Sequence, residues 1–251
     1  MKKLENKVAL ITGASKGIGA AIAKQFAAEG AKVVVNYASS KEGADRVVKE
    51  ITDTGGTAIA VQGDVSSEAE VTRLFEETRR AFGTLDILVN NAGIYQYEPI
   101  EEVSAKTFHD QFNINVLGSI LAIQSSLKLF GDKGGNIINI SSEAGKTPLP
   151  TGSVYSATKA ALDAITISLS KEFSGKNIRI NSILPGVVET EGSRSAGFIG
   201  SEAETKFVAN TPLGRTGQPD DIAKVAVFLA SDDSAWITGE KISVSGGIYG
   251  L

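Results

Sequence analysis

Short apolar runs alternate with longer amphipathic segments along the whole chain. The runs are rich in Val and Ile, which favour β-strands, and the segments between them repeat apolar residues at helical spacing. Strands are therefore predicted at seven places, residues 8–11, 32–37, 58–62, 85–89, 136–140, 178–184 and 241–244. Because each strand is separated from the next by a helical segment, the pattern predicts a parallel sheet with helices on both faces.

The helical segments between these strands have recognisable ends. The first, after residue 17, places Ile18, Ile22 and Phe26 one turn apart and ends at Gly30. Ser67, three residues before a glutamate, predicts a capped helix start. The remaining helices are predicted at residues 41–54, 104–130, 152–174 and 219–231.

The pattern loosens only between residues 187 and 217. Gly192, Gly197 and Gly200 surround a short helical piece in this part. Such a segment is typical of a mobile cover over a binding site, so residues 189–212 are predicted to form a flexible substrate lid. No linker or repeat marks a boundary, and residues 1–251 are predicted to be one doubly wound α/β domain.

Composition excludes several classes of function. A net charge of -4 argues against a nucleic-acid surface, and no cysteine and a single histidine exclude a zinc site of the Cys/His type, so no metal site is predicted. No run approaches the roughly 18 apolar residues of a membrane helix, and the first apolar run is too short for a signal peptide. These features predict a protein that uses neither membrane nor nucleic acid and lies in the cytoplasm.

A glycine turn follows the first predicted strand and opens the first helix. Such a turn lets backbone N–H groups approach a pyrophosphate, which the helix dipole also attracts. This context predicts a Rossmann-type dinucleotide site whose residues here are Gly13, Ser15, Lys16, Gly17, Ile18 and Gly19.

The second strand ends without an acidic residue. Enzymes that use NAD place a carboxylate there to bind the ribose 2′-hydroxyl, whereas this chain continues through Ala38, Ser39 and Ser40. Lys16 could reach a 2′-phosphate, with Ser39 and Ser40 as further donors. The sequence therefore predicts a preference for NADP(H).

Tyr155 and Lys159 lie four residues apart on the predicted helix at residues 152–174, and so on one helix face. An isolated phenol has a pKa of about 10 and is almost wholly protonated at pH 7. A neighbouring cation favours the phenolate, so Lys159 is expected to lower the pKa of Tyr155 into the range of acid–base catalysis.

Several spaced motifs, in one order over essentially the whole chain, resemble those of the short-chain dehydrogenase/reductase family. The glycine turn matches Thr-Gly-x-x-x-Gly-x-Gly, and Ser142 stands thirteen residues before Tyr155. The other matching motifs are Asp64-Val65, Asn90-Asn91-Ala92-Gly93, Asn115 between Ile and Val, and Pro185-Gly186 followed by Thr190.

The resemblance implies a role for each matching residue. Tyr155 would protonate a carbonyl oxygen as hydride arrives from the nicotinamide, with Ser142 donating a hydrogen bond to that oxygen. Lys159 would hold the nicotinamide ribose, and Asn115 would anchor a water that refills the proton. The resemblance also implies cofactor contacts for Asp64, Val65, Asn90, Tyr155, Lys159, Val188 and Thr190, although Asn90 could equally satisfy backbone groups between strands.

The function that follows is NADPH-dependent reduction of a ketone to a secondary alcohol. The pattern is most similar to 3-oxoacyl-carrier-protein reductases, for which Lys133 and Lys176 would meet an acidic acyl carrier protein. A glucose dehydrogenase is the alternative enzyme, with Glu143 as a ligand of sugar hydroxyls. Enoyl reduction fits the spacing of Tyr155 and Lys159 less well.

A non-catalytic NADP-binding sensor is the alternative from another class, although a pure binder has no use for Ser142 and Tyr155 together. The long helices at residues 104–130 and 152–174 carry more small and apolar positions than one sheet face needs. This excess resembles the paired-helix interfaces of the family and predicts a homotetramer.

Overall fold

Seven parallel strands form the centre of the protein, in the order β3-β2-β1-β4-β5-β6-β7. A computed structural model describes residues 2–248, and the ends of the predicted domain, residue 1 and residues 249–251, lie outside the described residues. The strands are β1 Val8–Ile11, β2 Lys32–Tyr37, β3 Thr57–Gln62, β4 Ile87–Asn90, β5 Gly135–Ile140, β6 Ile178–Pro185 and β7 Lys241–Val244.

Helices connect the strands and cover both faces of the sheet. They are α1 Gly17–Ala28, α2 Lys41–Asp53, α3 Glu68–Phe82, α4 Ala105–Phe112, α5 Gly118–Leu127, α6 Ser153–Glu172, α7 Glu191–Ser195, α8 Glu202–Asn210 and α9 Pro219–Ala230. Short 3-10 turns occur at Ile100–Glu102, Glu143–Gly145 and Asp232–Ser234. Across residues 2–248, no helix is long and apolar enough to cross a membrane.

The strands read as continuous apolar runs because each is buried on both faces. In β1, Ala9 and Ile11 belong to the core on one side of the sheet, and Val8 and Leu10 to the core on the other. All four side chains are at most 2% exposed. The predicted doubly wound, Rossmann-type α/β fold is confirmed.

The predicted helix at residues 104–130 was only partly right. A five-residue π-helical turn, Asn113–Leu117, separates α4 from α5. π-turns inside helices frequently mark functional sites, and this one carries Asn115, buried to 1% exposure. The fourth strand begins at Ile87 rather than at residue 85, because Leu85 forms only an isolated bridge with Phe130.

The predicted capping of helix α3 is only partly as expected. The Ser67 hydroxyl accepts a hydrogen bond from the Glu70 N–H, as expected. The Glu70 carboxylate, however, accepts from the N–H of Asp64 at 2.9 Å. This bond fixes the loop after β3, where the sequence predicts a contact with the cofactor.

The winding direction reverses between β1 and β4. The chain builds outward to β3 on one side of β1, and from β4 to β7 on the other. In sheets of this kind, the loops at the carboxyl ends of the strands open a crevice at the reversal. The glycine turn after β1 and the loop after β4 meet there.

Candidate active site

The glycine turn requires glycine at two positions for different reasons. Gly13 has φ +61° and a Cβ added to it would lie 2.8 Å from the Cα of Ala92. A Cβ on Gly19 would lie 2.4 Å from Asn91 Nδ2. The glycines therefore let the turn pack directly against the loop after β4.

Asn36 of β2 holds the turn from the other side. Its Oδ1 accepts a hydrogen bond from the Gly13 N–H at 3.1 Å, and its Nδ2 donates to the Gly63 carbonyl at 3.0 Å. The side chain is 1% exposed, so it acts as an internal brace. This role is not evident from the sequence, because the two hydrogen bonds join the ends of three strands that are distant in sequence.

A cleft of about 360 Å³ opens over the glycine turn. Ten of the residues predicted to bind the cofactor line it, namely Gly13, Ser15, Lys16, Gly17, Ile18, Ser39, Ser40, Asp64, Val65 and Thr190. Residues that were not predicted also line it, among them Asn91, Ala92, Gly93, Ile94, Ile114, Glu191 and Gly192. The cleft thus follows the strand ends from the glycine turn toward the predicted catalytic residues.

Some predicted cofactor residues lie behind the cleft. Asn90 is 3% exposed and its Nδ2 donates to Asn139 Oδ1 at 2.9 Å, which joins β4 to β5. The structure therefore supports the between-strand alternative for its side chain, and it is Asn91 that lines the cleft. Gly19 packs under the turn, and Val188 is 7% exposed in the core.

A carboxylate from the lid occupies the amino end of α1. Glu191 Oε2 accepts a hydrogen bond from the N–H of Gly17, the first residue of that helix, at 3.0 Å. Glu191 stands in for an anion, and its contact shows that this end of the helix accepts negative charge. The residues present therefore fit the pyrophosphate of a dinucleotide.

The carboxylates that line the cleft do not come from the end of β2. That strand ends at Tyr37 and continues into Ala38, Ser39 and Ser40 of the cleft wall. Asp64 lines the cleft, but its Oδ1 accepts from both the N–H and the hydroxyl of Ser66, at 2.9 and 2.8 Å. The adenosine end thus combines Lys16 with two serine hydroxyls, a set of donors suited to a 2′-phosphate.

Helix α6 carries Tyr155 and Lys159 as predicted. The Lys159 Nζ lies 5.8 Å from the centroid of the Tyr155 ring and donates to the Ile140 carbonyl at 2.9 Å. Lys159 is 5% exposed. Burial lowers its pKa to about 8, so the side chain stays mainly protonated at pH 7.

Ser142 faces the same phenol from the end of β5. The proximity of its hydroxyl lowers the pKa of the phenol. The Ser142 Oγ also accepts from the Ala144 N–H at 3.1 Å. The serine is thus held by the 3-10 turn that follows it.

The prediction that the pKa of Tyr155 is lowered was wrong. Burial is the largest cause and raises this pKa well above its ordinary value, and Tyr97 and Tyr95 raise it further. The rings of Tyr97 and Tyr95 lie with their centroids 5.8 and 6.1 Å from that of Tyr155. Both tyrosines come from the loop after β4.

Asn115 is fully enclosed by hydrogen bonds. Its Oδ1 accepts from the Ile94 N–H, and its Nδ2 donates to the Ile94 carbonyl, both at 2.8 Å. A Cβ added to Gly93 would lie 3.2 Å from Asn115 Oδ1 and 3.5 Å from Lys159 Nζ. Gly93 therefore keeps open the gap between these two side chains.

The predicted lid contains more regular structure than expected. Thr190 caps α7, its hydroxyl accepting from the Ser193 N–H at 3.1 Å. Glu189 forms an ion pair with Arg194 at 2.6 Å. These contacts hold α7 over the cleft, and the flexibility of the lid stays a prediction.

Within the described residues, no group of acidic or histidine side chains could hold a metal ion.

Comparisons with known proteins agree with this geometry. A family model described as enoyl-(acyl carrier protein) reductase matches residues 13–249. An oxidoreductase of Methylorubrum extorquens, itself named as uncharacterized, is 56% identical over 99% of this chain and 100% of its own length. A versicolorin reductase of Emericella nidulans is 37% identical over 98% of this chain and 97% of its own.

Among solved structures, the angucycline C-6 ketoreductase LanV with bound NADP superimposes with a TM-score of 0.92, at 35% identity over 98% of this chain and 97% of its own. The chain belongs to the short-chain dehydrogenase/reductase family. It is an NADP-dependent oxidoreductase. The dinucleotide supplies hydride chemistry at this cleft, whose lining residues would hold it.

Replacing Lys16 tests the 2′-phosphate site. We expect Lys16→Ala to raise the KM for NADPH by about 10- to 100-fold, the usual worth of a charge-assisted hydrogen bond, and to leave the KM for NADH nearly unchanged. Initial rates with both cofactors measure this. Lys24→Ala is the control, because Lys24 lies on the same helix but pairs with Glu50 outside the cleft. Equal effects on both cofactors would contradict the assignment.

Replacing Glu191 tests whether its carboxylate competes with the cofactor for the amino end of α1. Glu191→Gln removes the negative charge that accepts from Gly17, so NADPH should bind about two- to tenfold more tightly, as judged from typical charge–dipole energies. Fluorescence titration of NADPH measures the Kd. Glu202→Gln is the control, since Glu202 pairs with Lys206 on α8. Weaker binding by Glu191→Gln would show that the carboxylate helps rather than competes.

Proposed function

We propose that this protein reduces a ketone to a secondary alcohol with NADPH, and that Asn115, Ser142, Tyr155 and Lys159 are its catalytic residues. The observation that carries the proposal is that Ser142 and Tyr155 lie together beside a buried, charged Lys159, whose Nζ is 5.8 Å from the centroid of the Tyr155 ring. A protein that only sensed the cofactor would gain nothing from this pair. The sensor alternative is therefore set aside.

Tyr155 acts as the general acid. The phenol is protonated at neutral pH and can give its proton to the carbonyl oxygen when hydride arrives. Burial raises its pKa and so makes it a weaker acid, which means that the phenolate left behind needs stabilisation. The Ser142 hydroxyl donates to the same oxygen and stabilises the negative charge that develops on it.

Lys159 and Asn115 help to return a proton to Tyr155. The Lys159 ammonium lies 5.8 Å from the centroid of the Tyr155 ring and stabilises the phenolate that remains after proton transfer. The gap that Gly93 leaves between Asn115 and Lys159 supports a water at this place. Through such a water, a proton would return to Lys159 and then to Tyr155.

The position of the two loop lysines weakens the carrier-protein interpretation. Lys133 and Lys176 precede β5 and β6 and so lie at the amino edge of the sheet, whereas Ser142 follows the carboxyl end of β5. A six-residue strand spans roughly 20 Å. An acyl carrier protein bound at these lysines would meet the side opposite the active site.

The position of Glu143 weakens the sugar interpretation. The residue is 8% exposed, and both of its carboxylate oxygens are buried. A sugar in the cleft could not reach these oxygens in this arrangement. The glucose dehydrogenase interpretation thus loses Glu143, the residue that supported it.

The aromatic mouth of the site supports a cyclic or aromatic ketone. Tyr95 and Tyr97 are 45% and 46% exposed beside the Tyr155 ring, and their own centroids lie 6.0 Å apart. Aromatic side chains bind flat rings by stacking and edge contacts. The names of two similar proteins, a versicolorin reductase and an angucycline C-6 ketoreductase, support reduction as the reaction. A 3-oxoacyl thioester is the second candidate, because the overall pattern resembles those reductases.

We also propose that the protein forms a homotetramer and lies in the cytoplasm. Phe108 stacks on Phe112 with centroids 4.4 Å apart and is still 41% exposed. Leu117, on the following π-turn, is 40% exposed. Apolar side chains of this kind support an interface between copies of the long helices.

Removing the phenol hydroxyl tests the mechanism. Tyr155→Phe keeps the ring but deletes the transferable proton, so kcat should fall about 100- to 10,000-fold while NADPH still binds. Tyr37→Phe is the control, because it removes a hydroxyl from a buried tyrosine that does not line the cleft. If Tyr155→Phe kept most of its turnover, Tyr155 would not be the acid.

A substrate panel tests the substrate class. We expect faster reduction of α-tetralone than of acetoacetyl thioester, β-keto ester or diketone, and no oxidation of glucose, each measured with both cofactors. Tyr97→Ala should lower kcat/KM for α-tetralone about two- to tenfold, the typical worth of an aromatic pair, and change that for β-keto ester less. Preference for the thioester in the native enzyme would favour the second candidate. Rapid glucose oxidation would overturn the proposed class.

A further inference from the structure

A buried glutamine lies four residues before Asn115 and has no part in the proposed chemistry. Gln111, on α4, is 1% exposed and is not one of the described residues that line the cleft. Its Oε1 accepts a hydrogen bond from the Gln96 N–H at 3.3 Å. Gln96 stands between Tyr95 and Tyr97. The glutamine therefore binds the backbone of the tyrosine loop, residues 94–98, which carries both rings of the aromatic mouth.

Packing alone does not account for a glutamine at position 111. The Gln111 Nε2 is buried and has no hydrogen-bond partner among the described residues. A buried donor without a partner costs stability, whereas an apolar side chain of similar length would fill the space without that cost. What the side chain supplies to the described structure is an acceptor for the tyrosine loop.

The tyrosine loop is bonded to the rest of the protein at alternate residues. Asn115 binds both the N–H and the carbonyl of Ile94, each at 2.8 Å. At the other end of the loop, the Glu98 N–H donates to the Thr151 carbonyl at 2.9 Å. The bond to Gln96 is the middle one of the three, and it holds the backbone exactly between the two tyrosines.

Two glycines leave space for the tyrosine rings. A Cβ added to Gly152, which precedes α6, would lie 3.0 Å from Cε1 of Tyr97. A Cβ added to Gly192, on α7, would lie 3.0 Å from the hydroxyl oxygen of Tyr95. Side chains at these two positions would push the rings from where they lie. The Tyr97 ring therefore rests against the start of α6, and the Tyr95 hydroxyl against the lid.

Burial contributes little to fixing these rings. Tyr95 and Tyr97 are 45% and 46% exposed, so much of each ring gains nothing from the core. Their direction depends instead on the backbone from which they project. Because the Gln96 N–H lies between them, its bond to Gln111 restrains both rings at once.

We propose that Gln111 is a positioning residue for substrate binding, whose amide oxygen holds the tyrosine loop so that both rings stand preformed beside Tyr155. The inference rests on the proposed function, in which these rings bind a cyclic or aromatic ketone. Gln111 touches neither substrate nor cofactor and acts through the loop. A wall that is already ordered binds a flat ring without the entropy cost of fixing two side chains. Gln111 therefore favours ring ketones over open-chain ones.

Gln111→Met tests the proposal, because methionine has a similar length but no acceptor oxygen. Contacts with the wall are made in the ground state and the transition state alike. We therefore expect the KM for α-tetralone to rise about two- to tenfold while kcat changes less than about twofold. The KM for β-keto ester and the Kd for NADPH should stay near their native values. Gln111→Leu is a second apolar variant if the methionine protein does not fold.

Thr107→Val is the matched control. It removes a buried hydroxyl from the same helix, and that hydroxyl pairs with Ser104 at 2.9 Å rather than with the loop. It should leave the KM for α-tetralone unchanged. In a Tyr95→Ala/Tyr97→Ala protein, Gln111→Met should add no further rise, since the rings through which it acts are gone. A further rise in that protein, or an equal rise in Thr107→Val, would overturn the positioning role.

Hydrogen–deuterium exchange tests the loop without any turnover. The Gln96 amide should exchange about two- to tenfold faster in Gln111→Met, the usual worth of one hydrogen bond, and at the native rate in Thr107→Val. Unchanged exchange in Gln111→Met, or faster exchange with an unmoved KM, refutes the proposal. If exchange is faster but the native enzyme does not reduce α-tetralone, the proposed substrate class fails while the hold of Gln111 on the loop stands.

Discussion

The active site depends on one buried ammonium group that has to be held. Lys159 donates to the carbonyl of Ile140, the last residue of β5, at 2.9 Å. This bond fixes helix α6 against the strand end, and a buried charge left without such a partner would be costly. Ser142 follows two residues after Ile140, so the same bond brings the serine hydroxyl to the Tyr155 phenol. The geometry of the proposed catalytic residues is thus a consequence of where a lysine can be buried against this sheet.

The cofactor cleft obeys a second constraint, which is that one N–H group can serve only one strong acceptor well. Gly17 donates to Glu191, although the same end of α1 is where a dinucleotide phosphate is expected. Glu191 begins α7, and Thr190 before it lines the cleft and caps that helix. A phosphate bound at this end of α1 would have to displace the Glu191 carboxylate from the Gly17 N–H. Helix α7, which begins with Glu191, is thus held at the cleft by the same donor that a phosphate would use.

Much of the fold and part of the site follow from local sequence patterns. Apolar runs locate the strands because they are buried on both faces, and the glycine turn is recognisable because only glycine allows its backbone and its packing. Contacts between distant residues were not predictable in this way. Glu191 reaches Gly17 across 174 positions, and Asn90 turns its amide toward Asn139 because of the register between β4 and β5. Side-chain direction in a strand is set by its neighbours, which the motif alone does not contain.

The pKa of Tyr155 shows what a motif leaves out. The four-residue spacing alone suggested that Lys159 would lower this pKa, but Tyr95 and Tyr97 come from another loop and help to bury the phenol. Burial makes the phenol a weaker acid, because it disfavours the phenolate that remains when the proton leaves. Proton transfer at Tyr155 in either direction therefore needs a nearby positive charge. The buried Lys159 ammonium, 5.8 Å from the centroid of the ring, is placed to supply it.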